Sequence, residues 1–304
     1  MTPAEEAAEG GHIPVMAEEV VAWLKPRPGA VFVDGTLGAG GHARRILRAI
    51  GPEGRLIALD KDGEILRRTQ ERLKPYAGQC HFIHRDYARI EAVLEALGVD
   101  CVDGILLDLG VSSYQLDCPR RGFSFRADGP LDMRMNQENS MTAYDLVNTL
   151  PEHELAAILR DLGEERRHKA IAGHIVRRRQ QKAIATTAEL RDVVLRATAG
   201  KRSREKIHPA TRTFQALRMA VNKELDSLKQ GLLGAWASLR PEGRLGVIAF
   251  HSLEDRMVKQ LFRQWRQSRE GVLPFKKPLR PSEEEVARNP RARSARFRVI
   301  ERVA

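Results

Sequence analysis

VFVDGTLGAGGHARRILRAIGPEGRLIALD, residues 31–60, reads as one β-turn-α-β unit. The apolar run Val31-Phe32-Val33 is a buried strand that stops at Asp34-Gly35-Thr36. A glycine-dense turn follows, Gly38-Ala39-Gly40-Gly41, and residues 43–50 then place Ile46, Leu47 and Ile50 at helical spacing. Gly51-Pro52 ends the helix, and residues 55–60 form a second strand. Gly38, Gly40 and Ala43 satisfy G-x-G-x-x-G/A, in which glycine lets backbone N–H groups approach a ligand with no Cβ between them. Asp60 closes the second strand, where a carboxylate can accept hydrogen bonds from both ribose hydroxyls. The unit is a cradle for an adenosine-bearing cofactor.

Two cofactors compete for it. A dinucleotide would set its pyrophosphate on the helix N-terminus, which makes a nicotinamide-dependent oxidoreductase the first rival reading. Asp34 stands in the turn and would repel a pyrophosphate. S-adenosylmethionine has no phosphate, and its ammonium and sulfonium groups prefer carboxylates and carbonyls. The turn therefore favours S-adenosylmethionine.

Hydrophobic residues are 42% of the 304, enough for a packed core. A net charge of +11 favours a polyanionic partner, although a basic surface also serves solubility. Cys80, Cys101 and Cys118 are widely spaced, with no C-x-x-C. That argues against a zinc site or a disulfide framework and fits a reducing cytoplasm. No metal is expected. No apolar run approaches a membrane span, and the acidic start (Glu5, Glu6, Glu9) is not a signal peptide, so a soluble, cytoplasmic protein without a membrane partner is expected.

Residues 1–11 are small and acidic, and a loose segment is expected there; residues 17–24 carry Val20, Val21 and Leu24 on one helical face before Pro26 and Pro28. After Asp60 a charged helix spans 64–73, a third strand 80–84 and a helix 90–97. Tyr87 follows the third strand, where it can lie on an adenine ring or sit at the core edge. Residues 103–110 are a nearly all-apolar fourth strand, as in the middle of a parallel sheet, and Asp108 lies near its end. Ligands of such sheets sit at the carboxyl ends of strands, where Asp60, Tyr87 and Asp108 converge.

The alternation then breaks. From Val111 to about Pro209 no strand is expected, and the stretch is all helical, with helices at 143–149, 152–162, 165–181 and 187–199. Arg120-Arg121-Gly122-Phe123-Ser124-Phe125-Arg126 interleaves arginine with aromatics, Arg166, Arg167, Lys169, Arg177, Arg178 and Arg179 crowd one helix, and a basic loop spans 201–206. A long helix from about His208 to Leu239 carries Phe214, Leu217, Val221, Leu225 and Leu228 on one face and ends at Pro241-Glu242-Gly243. Residues 244–250 are a fifth strand, 255–267 a helix, 271–290 a surface excursion, and 296–303 an edge strand. The chain thus divides into 1–115, 116–209 and 210–304: a cofactor-binding first part, a helical insertion, and the remainder of the sheet domain.

DGTLGAGGH, DGILLDLGVSS, RGFSF with DGPLDMRM, HPATRTFQALRMAVN and FHSLEDR stand in this order. Together they closely resemble the MraW/RsmH family of small-subunit ribosomal-RNA methyltransferases, over nearly the whole chain, with 271–288 and the amino-terminal tail the loosest parts. The resemblance implies an α/β, Rossmann-like class I methyltransferase sheet, mostly parallel with an antiparallel edge strand and a helical insertion after the fourth strand. It implies methylation, from S-adenosylmethionine, of the exocyclic N4 of a cytidine in the decoding region of 16S ribosomal RNA, with the small ribosomal subunit as partner and a homodimer compatible. Carried over, the family's cofactor contacts fall on Gly40, Gly41, His42, Asp60, Tyr87, Asp108 and Gln115. Amino-methyltransferases of related chemistry carry Asp/Ser/Asn-Pro-Pro-aromatic at the fourth strand end, whereas this chain has Asp108-Leu109-Gly110-Val111-Ser112-Ser113.

A cytosine amine is a weak nucleophile because its lone pair is delocalised, so placement and oxygen acceptors for its hydrogens matter most. Asp108 is the first candidate acceptor, with Ser112 or Ser113 the second, although both serines also suit loop capping. His251, after the fifth strand, is a candidate for proton shuttling or for strand-end packing. In the insertion, arginine beside phenylalanine suits phosphate contact and base stacking. A ribosome-assembly factor that binds RNA without catalysis is the second rival, and a DNA cytosine-N4 methyltransferase is the near neighbour in chemistry.

Overall fold

Alternating apolar strands and amphipathic helices build one sheet in the computed structural model, which describes residues 13–199 and 207–303. The acidic start and the basic loop at 201–206 lie outside the described residues. Helix α1 (Ala17–Leu24) precedes β1 (Val31–Asp34), α2 (Gly41–Ile50), β2 (Arg55–Asp60), α3 (Gly63–Arg72), β3 (Cys80–His84), α4 (Ile90–Ala96) and β4 (Val102–Asp108). After the insertion come α11 (Glu224–Ser238), β5 (Leu239–Ala249), α12 (Ser252–Gln267), β6 (Gly271–Val272), α13 (Glu283–Arg288) and β7 (Arg296–Arg302). The sheet order is β3-β2-β1-β4-β5-β7-β6. The first five strands pair in parallel, and β7 is antiparallel to both neighbours. The order reverses between β1 and β4, which places the switch point at their carboxyl ends.

Side-chain alternation assigns each strand residue to one of two cores. Val33, Ile57, Ile105, Leu107 and Val247 pack with Ile90, Leu94, Leu228, Leu232 and Phe262 on one face. Phe32, Leu56, Ala58, Leu106 and Ile248 pack with Val20, Leu24, Ile46 and Leu47 on the other. Both faces are covered, which is why the inner strands read as continuous apolar runs.

The chain forms two compact units: residues 1–110 with 225–304, and residues 111–224. The second holds α5 (Ser113–Asp117), α6 (Ala143–Thr149), α7 (Glu152–Asp161), α8 (His168–Gln181), α9 (Thr187–Thr198) and α10 (Thr211–Asn222). Its bounds exceed the expected 116–209 because Phe214, Leu217 and Val221 of α10 belong to its core, with Leu155, Ile171 and Leu190. Capping boxes at Thr142/Asp145 and Thr186/Glu189 start α6 and α9. Arg121, fully buried, donates to the carbonyls of Arg134 (2.9 Å) and Met135 (3.1 Å), so it braces the loop rather than facing solvent.

Three expectations are corrected. The single helix from His208 to Leu239 is two, because Lys223 turns left-handed (φ 49°) between α10 and α11. The apolar residues before that turn fill the core of the helical unit, and Leu228 and Leu232 that of the sheet-bearing unit. Pro241-Glu242-Gly243 does not precede the fifth strand but lies within it, where the register against β4 shifts between Val102 and Gly104 and Glu242 has φ 65°. Strand β7 is not outermost, since the two-residue β6 pairs along its outer side.

Asn222 clamps the 133–135 turn: its Oδ1 accepts from the Met135 N–H (2.7 Å) and its Nδ2 donates to the Met133 carbonyl (2.8 Å). Asn222→Ala leaves both backbone groups buried without partners, and unfolding in urea should show a loss of about 2–4 kcal/mol.

Candidate cofactor site and active site

Asp34 ends β1 and is 1% exposed. Its carboxylate accepts from the Thr36 N–H (3.1 Å), and burial pushes its pKa up to about 7 against the opposing pull of His42. The next residues tie β1 to β4. Gly35 N–H donates to the Leu106 carbonyl (2.9 Å), and the Asp108 N–H donates to Thr36 Oγ1 (2.6 Å). The ends of the two central strands are thus pinned where the sheet order reverses.

The glycine turn is held from below. Asp60 Oδ2 accepts from the Gly38 N–H (2.9 Å), and Thr69 Oγ1 of α3 donates to the Gly38 carbonyl (2.6 Å). A Cβ on Gly40 (φ 80°) would lie 2.6 Å from Thr69 Cγ2, so this glycine admits a helix rather than a ligand. Gly38 (φ 51°) differs, for the space its Cβ would take is bordered only by the Thr36 carbonyl at 3.7 Å. Gly41 lets Pro14 pack against the start of α2.

Asp60 has a second backbone partner, the Asp62 N–H, at 2.8 Å from Oδ1. Burial raises its pKa to about 6 despite these two donors. Each carboxylate oxygen still has acceptor capacity for ribose hydroxyls after one N–H bond. Asp62 and Thr69 were not singled out from the sequence. Asp62 is the N-cap of α3, accepting from the N–H groups of Glu64 and Ile65, and Asp62-Gly63 before a helix is a readable capping signal. Thr69 gives no such signal.

His42 and Asp108 meet beside this turn, with His42 Nε2 3.6 Å from Asp108 Oδ2. Both His42 ring nitrogens and Asp108 Oδ1 are buried without hydrogen-bond partners among the described residues. Buried polar atoms left unpaired are costly, and a ligand with complementary groups would relieve that cost. An amine-bearing, nucleoside-sized cofactor offers donors for Oδ1 and hydroxyls for Asp60, so the residues present fit S-adenosylmethionine. Gly38, His42, Asp60 and Asp108 are the groups that would hold it.

Other sequence-derived candidates have protein partners of their own. Tyr87 is 8% exposed and sits in the core, where a Cβ on Gly231 would touch its ring at 2.4 Å. That is the core-edge alternative for this residue. Ser112 caps α5, accepting from the Gln115 N–H (3.2 Å), while Gln115 Oε1 accepts from the Ser112 N–H (3.0 Å). Ser113 is the first residue of that short helix. His251 is the N-cap of α12: its Nδ1 accepts from the Glu254 N–H (3.4 Å), and Nε2 lies 3.1 Å from Glu254 Oε1. Arg179 donates to the carbonyls of Val147 and Leu150, both at 2.7 Å, and Arg178 to that of Lys182 at 2.8 Å. These two arginines finish helices, whereas Arg166, Lys169 and Arg177 of the same stretch are exposed.

A parallel α/β sheet with a switch-point cleft, a carboxylate ending β2 and an unsatisfied carboxylate ending β4 defines a nucleoside-cofactor enzyme of the doubly wound class. Comparison narrows it. The family described as "MraW methylase family" matches residues 9–303. A Geobacter sp. (strain M21) protein named "Ribosomal RNA small subunit methyltransferase H" is 50% identical, covering 96% of this chain and 98% of its own. One of the same name from Geotalea daltonii is 48% identical over 97% and 100%. The chain belongs to the MraW methylase family, whose methyl donor is S-adenosylmethionine. Among solved structures, a SAM-dependent O-methyltransferase from Thermotoga maritima aligns with TM-score 0.46 and 11% identity, covering 100% of this chain and 72% of that one. No described helix is long and apolar enough to cross a membrane.

The raised carboxyls carry a pH signature. Asp34 holds its proton longer folded than unfolded, so the stabilisation is full below about pH 4 and is lost as pH rises toward 7. The shift corresponds to an upper bound of about 4 kcal/mol. In thermal unfolding of the protein without cofactor, stability should decline between pH 4 and 7, and Asp34→Asn should flatten that decline; an equal slope in both proteins refutes it.

Proposed function

We propose that the chain transfers the methyl group of S-adenosylmethionine to the exocyclic N4 of a cytidine in the decoding region of 16S ribosomal RNA, with the small ribosomal subunit as substrate. One observation carries the reading: the unpaired, buried Asp108 Oδ1 at the end of β4, beside the pinned switch point. That relatives about half identical are named for small-subunit ribosomal RNA supports the RNA substrate.

Bound there, the sulfonium supplies a methyl group already activated by positive charge. The chain's part is placement. Asp60 fixes the ribose, and its backbone bonds to Gly38 and Asp62 fix Asp60. Asp108 holds the cofactor's amine end or accepts from the target amine, sharing the positive charge that develops on nitrogen. The Thr36 bond to the Asp108 N–H keeps that carboxylate in register with the turn. Ser112 and Ser113 are capping residues in this reading, and His251 is a helix cap rather than a proton shuttle. Gly40 and Gly41 shape the turn, Tyr87 supports it from the core, and Gln115 orders the segment after β4.

The helical unit grips RNA through its exposed cations, Arg166, Lys169 and Arg177. Replacing these three by Gln should lower the salt slope of 16S RNA binding by about 2, at roughly 0.7–0.9 per phosphate contact. Replacing Arg178 and Arg179 should instead lower the melting temperature, because each arginine binds helix-terminal carbonyls.

The direct test incubates purified small subunits with the protein and S-adenosylmethionine and analyses digested 16S RNA by mass spectrometry. N4-methylcytidine in a decoding-region fragment is the expected product; a methyl group on another atom, or none, overturns the reading. Asp108→Ala should reduce turnover at least about 100-fold with the fold intact. Asp60→Ala should weaken S-adenosylhomocysteine binding about tenfold or more by calorimetry, as loss of hydrogen bonds to a charged acceptor requires.

A further inference from the structure

Residues 256–280 carry eight basic side chains against one acid, Glu270. Within the sheet-bearing unit, α12 turns its apolar residues Val258, Phe262 and Trp265 into the core and its exposed face is cationic. A cavity of about 220 Å³ runs along that face, with Lys259, Arg263, Arg266 and Lys276 around a floor that includes Phe262 and Val299. A second cavity, about 420 Å³, shares Arg266 and Lys276 and adds Arg269. Among the described residues no acidic side chain lines either one. Arg298, also at the first cavity, is already paired with Asp255 (2.7 Å). Lys259, Arg263, Arg266, Arg269 and Lys276 have no anionic partner among the described residues.

We infer that this groove is a second phosphate-binding track for RNA, on the β6–β7 side of the sheet and built wholly from residues of the sheet-bearing unit. The inference rests on the RNA-methyltransferase reading and extends it to a surface that reading leaves unassigned. Lys259, Arg263 and Arg266 follow at i, i+4 and i+7, a ridge of charge about 10 Å long on one helix face. Concentrated, unneutralised positive charge in a concave track is the electrostatic footprint of a nucleic-acid backbone. A membrane surface is disfavoured because an interfacial helix exposes an apolar face, and the apolar face of α12 is inside the fold. The track carries no base-reading geometry, so it contributes affinity and register, not sequence choice.

The test uses the full chain with Lys259, Arg263 and Arg266 all replaced by Gln. Binding of a 16S ribosomal RNA transcript is followed across a salt series, with S-adenosylhomocysteine affinity and the thermal midpoint as controls. The expected result is about tenfold weaker RNA binding and a salt slope smaller by about 2 to 3, with both controls unchanged. Unchanged RNA affinity and slope in a variant whose parent binds and methylates the RNA overturns the groove alone. A parent protein that neither binds nor methylates it overturns the underlying reading and the groove with it. Loss of sedimentation with phosphatidylserine vesicles, with RNA binding unchanged, assigns the surface to lipid and overturns the proposal.

Discussion

Burial first, and then the nearby carboxylates Asp108 and Asp60, raise the proton affinity of Asp34, and the fold is arranged to tolerate this. The compensation is backbone N–H: Thr36 for Asp34, and Gly38 and Asp62 for Asp60. Each donor comes from a residue that must turn sharply at a strand end, so the turns and the charges stabilise each other. Asp108 receives no such compensation at Oδ1. Asp108 Oδ1, a buried acceptor without a protein partner among the described residues, therefore lies at the switch point, where parallel sheets receive ligands.

The pinned junction of β1 and β4 explains why the surrounding residues are so constrained. A hydroxyl at Thr36 reaches the backbone of Asp108, and Thr69 reaches the backbone of Gly38. Neither threonine needs to touch a ligand to matter. Together they set the height of the turn above the sheet to within a hydrogen bond's tolerance. Support of this kind behind the strand ends is what preorganises a binding site.

Much of the sheet was legible because doubly covered strands write themselves as apolar runs: Phe32-Val33, Leu56–Leu59 and Ile105–Leu107 needed only counting. The positions of Asp60 and Asp108 at strand ends were legible in the same way, because each carboxylate closes such a run. Lys223 was not. Helical periodicity continues across it from Phe214 to Leu228, and a lysine in left-handed conformation leaves no mark in composition. Pro241-Glu242-Gly243 misled in the opposite sense, since a bulge inside β5 uses the same residues as a terminator. Charge was least informative. Arg121, Arg178 and Arg179 look like any other cations in the sequence, yet their donors close backbone carbonyls inside the helical unit.

The sheet-bearing unit is discontinuous, with residues 111–224 interposed between two strands that pair, β4 and β5. On the ribosome the first four strands emerge long before their neighbour exists, and Leu106 and Ile105 wait with an open edge. Closing a flexible loop of that length costs about 4 kcal/mol in chain entropy. An inserted body with its own core replaces that slack once folded. Vectorial synthesis then favours an order in which the helical unit folds before the sheet is completed, and the exposed edge of β4 is the window in which a nascent chain is most open to chaperones or to misassembly.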